Sequence, residues 1–399
     1  MARQYCSYIL LIISTLALTL SSCKRKPYPD YLIPEPSETL NFTLSYGGNG
    51  GEELFSVIAT SDSGYMMIGT TTTLSSGDKD MYLAKTDLNG NLLWSKAIGG
   101  AAIDGGFDLI ETADHNCIAV GFSRSYNFTN GHEIFVVKTD LSGNILWQKT
   151  FGDINNDCAK RIILSADGNG YILTGGTNGA NIQLGNMIYV VKMSSDGDSV
   201  WTRTYDGNAI EIGASVCNDF NNHMMVLGSS DLSSTIDDLF LIYLDANGDS
   251  VWTKTIGGAM GERAGEIIPL PGNNFAAANT TKSFGDPNGD ILLFKISDTG
   301  VLMWQKVIDS GNAETGTSIL LTSDNHLMVA GSENNPSGTT QALLIQTDQD
   351  GNVLWKKTFG DSANFHTNKV IETNSAFLLT GTKQNLNGST DGFLVKVKK

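Results

Sequence analysis

The sequence predicts an all-β chain folded as a seven-bladed β-propeller of four-stranded antiparallel blades, and three observations carry that prediction. Six tryptophans, Trp94, Trp147, Trp201, Trp252, Trp304 and Trp355, follow one another at intervals of 53, 54, 51, 52 and 51 residues. A second column counts seven units where tryptophan counts six: Gly69, Gly121, Gly175, Gly228, Gly331 and Gly381, with Asn279 in fifth place. Phe42 precedes Gly47-Gly48 by five residues, as Trp94 precedes Gly99-Gly100, so the seventh outer strand, Leu40–Tyr46, lies at the other end of the chain. An N-terminal strand that completes a C-terminal unit describes a closed ring.

The elements of one unit follow from local chemistry. Leu54–Thr60 is apolar and β-branched, and the turn Ser61-Asp62-Ser63-Gly64 leads to Tyr65–Thr72. After a polar loop come Met81–Thr86, the turn Asp87-Leu88-Asn89-Gly90 and Leu92–Ile98. An Asp/Asn-Gly turn between apolar runs is a strong hairpin signal. Blades are expected near 49–99, 101–152, 154–206, 208–258, 260–309, 311–360 and 362–399 with 40–48.

Ahead of the ring stand two short segments. Residues 1–22 read as a signal peptide, with Arg3 and an apolar run, Tyr8–Leu20, of 13 residues that is too short to span a bilayer. Leu20-Ser21-Ser22-Cys23 resembles a bacterial lipobox, which implies acylation of Cys23, a palmitate-type anchor and attachment to a membrane. Lys24 follows the cysteine where inner-membrane lipoproteins carry aspartate, and that resemblance points to the outer membrane, on its periplasmic or its external face. Residues 23–39 hold Lys24-Arg25-Lys26 and four of the eight prolines, a semi-stiff tether with its cations placed at lipid headgroups.

Composition sets the outer limits. Charged residues are 17%, hydrophobic residues 41%, and the 44 glycines carry no collagen period, which excludes disorder, coiled coil and collagen. A formal charge of −16 without a basic cluster beyond the tether argues against nucleic acid as a partner. Cys117, Cys158 and Cys217 are scattered and odd in number, so they read as free thiols and not as a disulfide or zinc framework.

The phrase Gly-Gly, acid, apolar strand, Gly-Tyr-apolar-apolar-x-Gly, then Lys-x-Asp-x-x-Gly-Asn-x-x-Trp resembles secreted bacterial propeller repeats and covers essentially all of residues 40–399. Leu244-Asp245-Ala246-Asn247-Gly248-Asp249-Ser250-Val251-Trp252 is similar to the turn and tryptophan strand of pyrroloquinoline-quinone-type propeller repeats, a family that includes an outer-membrane lipoprotein scaffolding barrel assembly. The period of about 52 residues exceeds that family's usual one, and neither resemblance supplies a catalytic residue or a cofactor.

Two repeated columns bear on function. Lys96, Lys149, Arg203, Lys254, Lys306 and Lys357 stand two residues after each tryptophan, where a cation protects an outer edge strand while its stem covers the indole. An anion-binding stripe is the other reading, opposed by the net charge. Five residues after each Gly-Gly position come Glu52, Asp104, Asp157, Glu211, Glu262 and Glu314, with Phe365 in the seventh place. These acids enter the innermost strands, either as latches that accept backbone N–H bonds or as a ring able to hold a cation such as Ca²⁺. The turns Asp245–Asp249 and Asp286–Asp290 lack the glutamate of an EF-hand and read as turns, so no metal site is assigned.

Function is read as a non-enzymatic binding or scaffold module, monomeric, with a protein or glycan partner. The alternatives are a surface glycan-binding or glycan-processing propeller, and a quinone- or metal-dependent enzyme. The loops between second and third strands (about 73–80, 123–133, 177–187, 229–238, 280–290, 332–341 and 382–391) differ from unit to unit while strands and turns repeat. They should share a face with the acids, and Tyr126, Phe128 and Phe284 are their aromatic residues suited to glycans. His115, His223 and His326 fall at the opposite hairpins in different blades, too dispersed to share a metal.

Overall fold

The computed structural model describes residues 41–75, 78–126, 131–152, 156–177, 187–205, 211–230 and 238–399; the tether, Cys23 and Phe128 lie outside them. Twenty-eight strands form seven four-stranded antiparallel sheets, and no helix occurs among the described residues. Blade 1 runs β2 (Glu52–Thr60), β3 (Gly64–Thr71), β4 (Asp80–Asp87) and β5 (Leu92–Ile98) in simple meander order. Blades 2 to 6 repeat it, with first strands Asp104–Glu111, Asp157–Leu164, Glu211–Asn218, Glu262–Leu270 and Glu314–Leu321. The first strands of successive blades touch one another around the ring, which makes them the innermost. The chain is a seven-bladed β-propeller.

Ring closure is as expected, with a shorter strand. β1 (Phe42–Tyr46) pairs antiparallel with β28 (Thr390–Lys398), placing Phe42 opposite Lys396 and Tyr46 opposite Gly392. β26 (Asn364–Glu372) and β27 (Ala376–Gln384) complete blade 7.

The apolar core lies between blades. Met66, Ile68, Met81 and Leu83 of blade 1 pack on Leu109, Ala119, Phe135 and Val137 of blade 2, and equivalent clusters fill the other junctions described. Each fully buried aliphatic or aromatic side chain contributes about 1.5–3 kcal/mol, so the seams between blades hold the ring.

The tryptophan column belongs to those seams. Gly143, in the Asp-x-x-Gly turn of blade 2, has φ +73°, and a Cβ there would come within 2.7 Å of the Trp94 ring of blade 1. Gly197 meets Trp147 and Gly248 meets Trp201 in the same way. At the closing seam Gly90 meets Phe42, which therefore takes tryptophan's place. Glycine supplies both the positive φ and the bare surface on which the ring lies.

The basic column does more than protect an edge. Lys96 lies 5.4 Å from the Trp94 ring centre, as expected, but its Nζ also donates to the Ser142 carbonyl of the next blade at 2.9 Å. Lys149 reaches the Asp196 carbonyl and Lys254 the Gly300 carbonyl at the same distance. These three cations tie their blades to the next blade's turn.

The second-strand glycines face a β-bulge in the first strand. At Gly69 a Cβ would approach the Glu53 carbonyl to 1.7 Å, beside the register shift between Leu54 and Ser56. Blade 5 tolerates Asn279 because its register shift, from Arg263 to Glu266, passes over two residues. Asn279 fills the space, accepting from Gly265 N and donating to the Leu292 carbonyl, both at 3.3 Å.

Candidate functional site

The variable loops and the acid column share one face, because the end of each second strand pairs with the start of its first: Glu52 opposite Thr71, Asp104 opposite Ser123, Glu262 opposite Thr281. The first-to-second hairpins with His115, His223 and His326 lie at the other ends of those strands.

The acids whose side chains are described are buried and, where bonded, hold their own second strand and the turn that enters their blade. Glu52 accepts the Thr71 hydroxyl at 2.8 Å and Gly48 N–H at 2.9 Å. Asp104 accepts the Ser123 and Ser125 hydroxyls and Gly100 N–H at 2.7 Å. Glu262 accepts the Thr281 hydroxyl at 2.9 Å and Gly258 N–H at 3.3 Å. The Asp157 carboxylate is buried over Gly152. Of Glu211 only the backbone is described. Each latch joins the incoming Gly-Gly turn to the root of the loop after the second strand, so loop roots are held alike while loop tips differ. Phe365 replaces the latch in blade 7 by apolar packing, edge-on to Phe393 at 5.2 Å.

Tyr126 and Phe284 occupy equivalent places. Ser125 and Ser283, the residues before them, each exchange hydrogen bonds with their own entry turns, at Ala102 and Met260. Tyr126 is 36% exposed and donates to the Gly99 carbonyl at 3.2 Å, while Phe284 packs half-buried beside Gly258. They stand in blades 2 and 5 and do not converge on one pocket. A groove of about 370 Å³ beside the closing strand is lined by Tyr46, Glu52, Thr73, Leu74, Tyr82 and Ser95.

A second acidic column escaped the sequence reading. Asp80, Glu133 and Asp290 open third strands and Asp238 immediately precedes one, each 24 residues before the latch acid of the next blade (Asp104, Asp157, Glu314 and Glu262 respectively). The bare α-carbon of Gly99 lies beneath Asp80 and Asp104 together, and that of Gly257 beneath Asp238 and Glu262. Burial first, then the Asp238 charge, pushes the Glu262 carboxyl up, against the hydroxyl and N–H donors that lower it. The constant spacing was the available signal; it went unread because the two acids belong to different blades.

The channel holds a third set missed in the sequence. Four residues after each latch acid stand Ser56, Asp108, Arg161, Ser215, Glu266, Ser318 and Lys369 (the last after Phe365), at or beside the bulge of each first strand. Several bind the next blade's backbone: Asp108 accepts Ile162 N–H at 3.1 Å, Ser215 accepts Ile267 N–H at 3.2 Å, and Ser318 accepts Val370 N–H at 3.2 Å. Arg161 of blade 3 and Lys369 of blade 7 both pair with Glu266 of blade 5, and Arg161 lies 3.9 Å from Asp108. Non-adjacent blades can meet only in the channel, so this quartet closes it with side chains no more than 16% exposed. Burial acts to raise the Glu266 carboxyl, but the Arg161 and Lys369 cations outweigh it and hold it below the ordinary range.

The histidines stay apart, each beside an acid of its own blade: His115 by Glu111, His223 by Asp219, His326 by Asp324. Cys117, Cys158 and Cys217 are free thiols, and burial raises the pKa of Cys117 and Cys217.

No protein-family model matches the chain, and no curated protein does. Among solved structures it is similar to Sqt1 from Chaetomium thermophilum, at 10% identity, over 90% of this chain and 99% of that one, with a TM-score of 0.52. A 6-phosphogluconolactonase candidate from Bacteroides uniformis shares 15% identity over 87% and 97% of the two chains, with a TM-score of 0.50. Acylaminoacyl peptidase from Pyrococcus horikoshii is 11% identical at a TM-score of 0.48; the chain aligns over 88% of its own length and spans about half (51%) of that protein. The likenesses to Sqt1 and to the Bacteroides uniformis protein show the fold alone.

Proposed function

We propose that this protein is a lipid-anchored outer-membrane lipoprotein whose propeller serves as a non-enzymatic binding or scaffold module, presenting the face of second-to-third-strand loops. The observation that carries the reading is the latch: Glu52, Asp104 and Glu262 fix loop roots in one geometry while the loop sequences differ. A rigid frame with variable tips is how a scaffold displays recognition residues. The lipobox Leu20-Ser21-Ser22-Cys23 supports the anchor. β1 begins at Phe42, on the hairpin face, since Tyr46 ends at the Gly-Gly turn of the loop face. The described chain therefore enters the ring from the face opposite these loops.

Two measurements test the proposal. Fractionation of acyl-labelled cells should place the protein in the outer membrane; a protein found unacylated in the soluble fraction would contradict the anchor. A glycan array, run alongside pull-down from envelope extract, should return a ligand without turnover. Catalytic conversion of a bound glycan would replace the module by an enzyme.

A further inference from the structure

The junction between blades 5 and 6 departs from the latch pattern in two places, and both departures add a carboxylate. The position five residues after the tryptophan (or Phe42) is Gly47, Gly99, Gly152, Gly257 and Gly360 at the other described junctions, and at Gly99 and Gly257 both paired acids pack directly against the bare α-carbon. Here it is Asp309. Asp206 makes the same replacement at the junction of blades 3 and 4, outside the described residues, but Met187 stands there in place of the paired third-strand acid. At the end of the second strand, where Thr71, Ser123 and Thr281 supply the latch hydroxyl, blade 6 has Glu333 opposite Glu314.

One oxygen each from Asp290, Asp309 and Glu314 lies within 4.8 Å of the others. Asp290 and Glu314 are 0% and 1% exposed. Asp290 uses one oxygen to accept Asp286 N–H at 2.6 Å, and Glu314 uses one to accept the Ser310 hydroxyl. Their remaining oxygens, Asp290 Oδ1 and Glu314 Oε2, are buried without a hydrogen-bond partner. Lys356 is the cation paired here, 2.8 Å from Glu333 and 3.8 Å from Glu314. Three buried carboxylates, Asp290, Glu314 and Glu333, with the exposed Asp309 beside them, face one ammonium, and burying unpaired charge is strongly unfavourable.

We infer that Asp290, Asp309 and Glu314 form a binding site for one divalent hard cation, Ca²⁺, that bridges blades 5 and 6. Calcium takes carboxylate oxygens at about 2.3–2.6 Å, so two ligands on one ion lie at most about 5 Å apart, which the trio satisfies. Asp309 completes the site from the solvent side, and the ion replaces the latch donors that this blade has lost.

The test uses the full-length protein in detergent, stripped with EDTA and dialysed at pH 7.5. Calorimetric titration with CaCl₂ should show one site. At a hundredfold excess of Ca²⁺ over Kd the unfolding midpoint should rise by on the order of 3 °C. Asp309→Gly restores the residue the repeat uses elsewhere, so it should fold with an unstripped-like midpoint in EDTA while weakening Ca²⁺ at least tenfold. Glu314→Gln should abolish the response. Absence of heat and of a midpoint shift with millimolar CaCl₂ would overturn the site, as would an undiminished response in Asp309→Gly. A response to MgCl₂ alone would overturn the assignment to calcium.

Discussion

Replacing Glu266 by glutamine removes the carboxylate that pairs with both Arg161 and Lys369 in the channel. The amide keeps the carboxylate's shape and can still accept the Ile319 N–H that Glu266 holds at 3.3 Å. What it leaves is two largely buried cations whose nearest described carboxylate is Asp108, at 3.9 Å from Arg161. Breaking a buried pair from one side costs about 3–5 kcal/mol. With an unfolding entropy of about 2.1 cal/mol/K per residue, the roughly 360 residues of the ring convert that into a fall of about 4–7 °C. The assay is thermal unfolding at pH 7, with Lys369→Met added to Glu266→Gln as the second half of the cycle. Removing the stranded ammonium should recover part of the loss. The sign with pH also follows. The Glu266 carboxyl is held below its ordinary value in the fold, so its contribution is complete above the unfolded value of about 4.3 and disappears as pH falls through the folded one. The gap between wild type and Glu266→Gln should therefore close in acid. A variant within about 0.5 kcal/mol of the parent at pH 7 would mean that the four charges are solvated, and the channel open.

Deleting residues 40–46 removes β1 and strips the outer edge of β28, so cooperative unfolding should be lost or shifted down by many degrees; an unchanged thermal transition would refute closure. Gly143→Ala must crowd the Trp94 ring at φ +73° and should cost about 1–3 kcal/mol in urea unfolding, while Gly338→Ala, at φ +86° with nothing near its Cβ, should cost about 1 kcal/mol. Equal losses at the two sites would detach the tryptophan column from the seam. Cys23→Ala should abolish acyl labelling and release the protein from membranes, read by radiolabelled palmitate and fractionation; normal labelling would refute the lipobox reading.

The fold was legible because each blade asks the same backbone questions of the sequence. Every Asp- or Ser-x-x-Gly turn needs a positive φ before an outer strand, so Gly90, Gly143, Gly197, Gly248, Gly300 and Gly351 recur, and five of the tryptophans, Trp94 to Trp304, each lie on such a glycine of the next blade. Phe42 could be recognised as the seventh member from spacing alone. The channel quartet was not legible in the same way. Ser56, Asp108, Arg161, Ser215, Glu266, Ser318 and Lys369 share a place but not a chemistry, and Arg161 meets Glu266, 105 residues on (266 − 161), only because the ring brings blades 3 and 5 to one axis. Lys96 read as an edge guard because its partner, the Ser142 carbonyl, belongs to the next turn of the ring. The acids were placed on the correct face, but their hydroxyl partners, such as Thr71 and Thr281, emerge only with the register of the first and second strands.

The measurement that bears most directly on the proposed function compares two sets of substitutions against the ligand returned by the glycan and envelope screen. The first set is Tyr126→Ala and Phe284→Ala on the loop face, with Phe128→Ala from the same stretch of sequence as Tyr126, and the second is His115→Ala, His223→Ala and His326→Ala on the hairpin face. The account predicts that Kd rises tenfold or more, about 1.4 kcal/mol, for the loop set and stays within twofold for the hairpin set, with both unfolding like the parent. Weakened binding in the hairpin set, with the loop set intact, would place recognition on the opposite face and contradict the account.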